Sequence, residues 1–173
     1  FKYRVVFQGN NVIEQDWGTA LFQDLGSSPA SMEASKVVDF YGCLPGHAIE
    51  QADAEQAYIQ ADLKGKQTWI LLPEEAWPDT WFETDSKTGR ADRNKPLYYK
   101  PVIQLYKALY GHPDAGTFGV EHCDQSVRRA GFKPVHETWP LRYYHEKLQL
   151  SLVFYVDDFK LAGPRDNLAA GWA

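Results

Sequence analysis

Cysteine and methionine are scarce, with two of the first and one of the second in 173 residues. Cys43 and Cys123 are far apart and form no C-x-x-C or regular framework, which argues against a disulfide scaffold and fits a reducing, cytoplasmic compartment. Long apolar runs are also lacking. The most apolar stretch, residues 148–156, is broken by Gln149 and Ser151 and falls far short of the roughly 20 residues of a membrane helix. Nor is there an excess of positive charge. Eighteen basic against 23 acidic residues leave a net charge of −5, so any nucleic-acid partner must be met by a local patch and not by bulk attraction. No Gly-rich phosphate loop, Gly-x-Ser-x-Gly elbow or His-Glu-x-x-His motif is present. The remaining composition, 44% hydrophobic and 24% charged, is that of an ordinary globular chain able to bury one moderate core. Its opening at Phe1 and its close on Ala169–Ala173, which reads as the start of a helix, predict a piece of a longer polypeptide.

Residues 2–7 are β-branched, aromatic and basic and end at the turn Gln8-Gly9-Asn10-Asn11, which predicts a strand. A loop-rich connection follows. Ser28-Pro29 offers a cap and a first-turn proline, and Ala30, Ala34, Val37, Val38, Tyr41 and Leu44 recur at helical spacing until Leu44-Pro45-Gly46. Next, a strand over 48–53 is expected to run through Asp53 into a helix over 54–63. Residues 69–72 predict a short strand closed by Pro73, whereas 83–96 have almost no apolar content and predict an exposed loop. A second helix is expected over 115–130, capped by Asp114 and ended by Gly131, although Gly116 and Gly119 weaken it. The apolar runs 148–156 and 159–162 predict a hairpin with two acids at its tip.

Those acids are the strongest chemical feature. In Phe154-Tyr155-Val156-Asp157-Asp158-Phe159, two adjacent carboxylates interrupt a hydrophobic hairpin, and strand alternation turns them in different directions unless the turn re-aims one. A solvated Asp-Asp turn is the plain alternative, just as Asp53 alone reads as a helix cap. Taken together, a carboxylate at one strand end and another at a neighbouring hairpin tip suit divalent cations on oxygen ligands. Mg²⁺ completes its octahedron with water and substrate phosphate, and two such ions serve in-line phosphoryl displacement.

Five ordered segments resemble the reverse transcriptase domain of copia-type LTR retrotransposons. Lys2-Tyr3-Arg4-Val5-Val6-Phe7-Gln8-Gly9 is similar to K-x-R-h-V-x-x-G, where h is apolar. Gln51-Ala52-Asp53-Ala54-Glu55-Gln56-Ala57-Tyr58-Ile59 is similar to Q-h-D-h-x-x-A-[FY]-h. Ile70-Leu71-Leu72-Pro73 resembles the strand and proline that follow, Leu105-Tyr106-Lys107-Ala108-Leu109-Tyr110-Gly111 matches L-x-K-[AS]-L-Y-G, and Tyr155-Val156-Asp157-Asp158 is the polymerase signature. The match spans residues 2–163.

The resemblance implies an α+β fold, a right-hand palm with part of the fingers, made of a mostly antiparallel sheet backed by helices. It treats 1–173 as one partial domain that stops before the thumb. It implies an RNA-directed DNA polymerase that transfers nucleotides from deoxynucleoside triphosphates to a primer 3′-hydroxyl. Asp53, Asp157 and Asp158 would be catalytic and, with the Ala54 carbonyl, would hold two Mg²⁺ ions, with Mn²⁺ as the alternative. Lys2 and Arg4 would face the triphosphate, Tyr58 would exclude a 2′-hydroxyl, and Gly111 would let template or nucleotide approach closely. The implied partners are template with primer and the remaining polyprotein, with its thumb, RNase H and integrase, but no membrane. After Gly111 the chain departs from the family's L-K-Q-[AS]-P-R-x-W, reading His112-Pro113-Asp114-Ala115-Gly116-Thr117-Phe118-Gly119. Two basic residues and a packing Trp are thereby missing. The competing readings are a catalytically inactive remnant that keeps the palm and, more remotely, a two-metal phosphohydrolase that uses the same acids on water.

Other sites have weaker support. Cys43, His47, His122 and Cys123 lack zinc spacings, so buried thiols are expected. Trp69, Trp77, Trp81, Tyr98 and Tyr99 read more readily as packing than as base-stacking platforms.

Overall fold

The structure, a computed structural model, describes residues 6–14, 16–18, 20 and 30–173. Most of the strand expected over 2–7 lies outside that range, together with the Ser28-Pro29 helix start, and Val6 and Phe7 have no regular structure. Helix α1, Met32–Gly42, begins at Ser31, whose hydroxyl accepts the Ala34 N–H at 3.2 Å. This satisfies one of the orphan donors of the first turn. Strand β1, His47–Asp53, follows, and then the single-turn helix α2, Ala57–Gln60. The expected helix over 54–63 is this short because Gln56 adopts a left-handed conformation (φ 52°) and Asp62 forms an antiparallel bridge with Lys107. The chain continues through β2 (Thr68–Leu71), β3 (Phe82–Thr84), β4 (Ala91–Pro96), β5 (Val102–Leu105) and α3 (Ala115–Arg129). It ends with β6 (Lys133–Pro134), β7 (Arg142–His145), β8 (Leu150–Tyr155), β9 (Asp158–Pro164) and α4 (Leu168–Gly171).

These elements form two compact units, Phe1–Leu63 with Lys107–Ala173, and Lys64–Tyr106. In the first, five strands make an antiparallel sheet in the order β1-β9-β8-β7-β6. This agrees with the expected α+β class and its mostly antiparallel sheet. The central strand β8 is buried on both faces, which explains why its sequence is nearly continuously apolar. Leu152 and Phe154, opposite Leu161 and Phe159, pack with Cys123 and Val127 of α3. Val153 and Ala162 point the other way and pack with Ala34 and Val38 of α1. The Phe154 ring is stacked on both Tyr143 and Phe159, with centroids 5.8 and 5.0 Å apart. Gly131, in a left-handed conformation (φ 94°), follows α3 as expected of a C′ residue.

The second unit holds two small antiparallel ladders, β2–β5 and β3–β4. The stretch 83–96, expected to be a loop, contributes most of the β3–β4 ladder. Its side chains are polar because its strands are largely exposed, so burial leaves no alternating signature. Asp85 Oδ1 accepts the N–H groups of Lys87 and Thr88 and shapes the connecting turn. The tryptophans serve packing here, since Trp77 lies edge-on to Trp81, and Trp81 to Tyr98, at 5.8 Å. Trp69 and Tyr99 remain exposed. No helix among the described residues is long and apolar enough to cross a membrane.

Candidate active site

Strand register assembles the acids. β1 ends on Asp53, β9 begins on Asp158, and the two are direct cross-strand partners. Directly opposed residues project from the same face of a sheet, so the two carboxyls stand side by side at the sheet end. The Asp158 carboxyl is pushed above its ordinary value. Loss of hydration comes first, then the neighbouring Asp53 carboxyl, then the negative charge of Asp157. Tyr155 is the other cross-strand partner of Asp158 and is exposed on that face.

Val156 and Asp157 form the two-residue hairpin loop. Val156 has φ 58° while Asp157 stays on the negative side, the sign pattern of a type II′ turn, which ordinarily takes glycine at its first position. A β-branched residue held there is strained. The turn is tied to β1 because the Ala54 N–H donates to the Asp157 carbonyl at 2.7 Å. Asp157 is half-buried, and its charge acts on both Asp158 and the Tyr58 hydroxyl.

The three acids expected to share two ions are therefore not equivalent. Asp53 and Asp158 form an exposed carboxyl pair, and Asp157 flanks it. Among the described residues no group of three or more His, Cys, Asp or Glu is gathered to hold a metal. A pair of exposed carboxyls whose charges oppose one another nevertheless fits a hard dication. Mg²⁺ takes one or two carboxylates and completes its shell with water or phosphate.

Tyr58, on α2, is half-buried. Its ring lies edge-on to Tyr110 at 4.6 Å, and its hydroxyl is pushed above the usual range by burial first and by the charge of Asp157 second. Gly119 of α3 lies under that ring, where a Cβ would come within 2.7 Å of Tyr58 Cδ1. In sequence terms Gly119 is a weak helix residue. In the structure it is the seat of Tyr58.

Among the expected nucleotide contacts, Lys2 and Arg4 lie outside the described residues. Gly111 (φ 88°) does permit a close approach, but the approaching backbone is the chain's own, since a Cβ there would strike the Phe7 carbonyl and lie 2.9 Å from Val6 Cγ1. The Phe7 N–H donates to the Tyr110 carbonyl at 2.7 Å in the same contact. Asp114 precedes α3 without capping it through its side chain. Its N–H instead donates to Nδ1 of His112 at 3.2 Å. His112 is buried against Phe7, and burial lowers its pKa despite the opposing charge of Asp114. An acceptor Nδ1 requires the unprotonated nitrogen, which agrees with that direction.

Two residues passed unnoticed in the sequence. Lys160 stands two positions after Asp158 on the same face and donates to Ser35 Oγ and Asp39 Oδ1 of α1, both at 2.8 Å. Arg142 is half-buried, its guanidinium 4.6 Å above the Trp139 ring. A lone cation in an apolar strand was the only available signal for either. Of the two thiols expected to be buried, Cys123 is and Cys43 is exposed. Comparison of the chain with family models, curated proteins and solved structures gives no match.

Proposed function

We propose that this chain carries the catalytic carboxylates of an RNA-directed DNA polymerase of the copia retrotransposon type, on a palm-like sheet. The observation that supports this most is the in-register pair Asp53–Asp158, set beside a hairpin whose strained loop carries Asp157. Two strands remote in sequence thus present acids at one sheet end. Asp53 and Asp158, flanked by Asp157, are the residues that would hold Mg²⁺. When bound, the ion supplies Lewis-acid stabilisation of phosphoryl oxygens and a lowered pKa for the attacking hydroxyl. The chain's own part is to fix carboxylate directions through the β1–β9 ladder and to hold Tyr58 beside them between Tyr110 and Gly119. There the ring would limit the sugar at its 2′ position.

The test has two parts. Calorimetric titration with a deoxynucleoside triphosphate should show Mg²⁺-dependent binding that Asp53→Asn and Asp158→Asn remove. Primer extension on an RNA template should show Mg²⁺-dependent synthesis that Asp157→Ala abolishes. A second reading, a remnant that keeps the fold without turnover, is favoured by the lack of a gathered three-acid group among the described residues. Binding without extension would support the remnant, and absence of both would sink the polymerase reading.

A further inference from the structure

We infer that Arg142 and Trp139 form a phosphate seat for a nucleic-acid strand lying across the face that carries Asp53 and Asp158. The inference rests on the polymerase reading for the identity of the ligand, but not for the existence of the seat.

Among the described residues Arg142 is a cation without an anionic partner. In the first unit, Lys107, Arg128, Lys133 and Lys160 each contact a carboxylate. Arg142 contacts none among the described residues, and its Nε is buried without a hydrogen-bond acceptor. A guanidinium stays protonated at any ordinary pH. Among the described residues its desolvation is met only by the Trp139 ring, and an oxyanion on the Nη edge would offset more of it. Burial does lower the Arg142 pKa, with no anion among the described residues to raise it.

Position then selects the ligand. Arg142 pairs with Val153, which pairs with Lys160, and Val153 packs toward α1, so Arg142 projects from the α1 face. The next row on that face is Tyr155, Asp158 and Asp53. From Arg142 to Asp158 is two strands across, about 4.8 Å each, and two residues along, about 6.8 Å, or about 12 Å between Cα atoms. A few nucleotides of backbone cover that span. Trp139 holds the guanidinium plane by stacking, leaving its edge donors to a phosphate, and the exposed ring of Tyr155 lies between the two sites. A chain with net charge −5 needs such local fixed charge if it is to meet a polyanion beside its own acids.

The experiment is fluorescence anisotropy of a labelled single-stranded 12-nucleotide DNA with the 173-residue chain, in EDTA, across a salt series. The unaltered chain should bind at low salt. Arg142→Gln should weaken binding about tenfold and flatten the slope of log K against log salt by about 0.7, one single-strand phosphate contact. Arg142→Lys should keep the slope and lose part of the affinity, because a point charge replaces the fork. Arg165→Gln, which makes the same charge change outside this face, should leave affinity within twofold. Thermal melts check that each variant is folded. Failure of the unaltered chain to bind, equal binding by Arg142→Gln, or equal losses in the Arg142 and Arg165 variants would each overturn the seat. Because the assay contains no free Mg²⁺, loss of the catalytic reading leaves this result intact, and the converse also holds.

Discussion

The ring of Tyr58 rests on Gly119 so closely that a single added methyl would lie 2.7 and 3.0 Å from its Cδ1 and Cε1 carbons. The ring cannot easily retreat, because Tyr110 stands edge-on against it at 4.6 Å. Gly119→Ala therefore sets two effects against each other. Helix propensity favours Ala by about 1 kcal/mol, whereas overpacking a fixed neighbour costs roughly 1–3 kcal/mol. The expected net result is a loss of about 1 kcal/mol in denaturant unfolding. In a double-mutant cycle, Tyr58→Ala should turn the same Gly119→Ala change into a gain. A gain in the presence of Tyr58 would show that the ring is not seated there.

The Asp53–Asp158 pair yields a pH prediction. A carboxyl whose folded pKa is raised binds its proton more tightly in the native state than in the unfolded chain. That contribution is present at pH below the ordinary Asp value and is lost as pH rises through the raised value of Asp158. At neutral pH the native state carries the opposed charges, and a dication would relieve them. Mg²⁺ should thus raise the thermal midpoint at pH 7 and have little effect near pH 3. Carbon-detected NMR titration should place Asp158 above the usual Asp value, and Asp53→Asn should bring it down. An Asp158 titration unmoved by Asp53→Asn would separate the two carboxyls.

How far the sequence disclosed this site depended on whether a residue's role was local. Asp53, Asp157 and Asp158 were legible because strand ends and hairpin tips leave turn signals, and because alternation already divides adjacent acids between directions. Register was not legible, and register decides that Asp53 meets Asp158 while Asp157 only flanks them. The same limit applied to Gly111 and Gly119, whose neighbours Phe7 and Tyr58 come from elsewhere in the chain, so that each looked like a turn or a weak helix residue. The β3–β4 ladder was missed for the opposite reason. Its strands are exposed, and without a buried face a strand has no hydrophobic period to read.

Val156 offers a cleaner test of strain than of function. A side chain at φ 58° costs about 1–2 kcal/mol relative to glycine, while glycine gives back about 0.5–1 kcal/mol in chain entropy. Comparing Val156→Ala with Val156→Gly removes the difference in buried volume, because Ala keeps the backbone penalty with almost none of the packing. Val156→Gly should be the more stable of the two by roughly 0.5–1 kcal/mol, the reverse of their order inside a strand. If Ala proved more stable, the loop would not hold this residue in the left-handed region.

Lys160 and Asp39 are joined at 2.8 Å but are unequally shielded, with side-chain exposures of 18% and 47%. Removing either partner should therefore have different consequences. Without Asp39, the Lys160 ammonium either stays mostly out of water on the Ser35 hydroxyl alone, the costly outcome of breaking a buried pair, or leaves that site for the acid pair and gives up its packing. Without Lys160, the Asp39 carboxylate turns to solvent, and a methionine fills the vacated channel with a flexible apolar chain. Asp39→Ala should cost about 2–3 kcal/mol and Lys160→Met no more than about 1 kcal/mol, measured by denaturant unfolding at pH 7. Because Lys160 lies two residues from Asp158 on the same strand face, the Mg²⁺-induced rise in thermal midpoint should shrink in Asp39→Ala. There the freed ammonium can swing toward the acid pair and compete with the cation. Equal costs for the two substitutions, or an unchanged Mg²⁺ response in Asp39→Ala, would mean that α1 does not restrain Lys160 as the geometry requires.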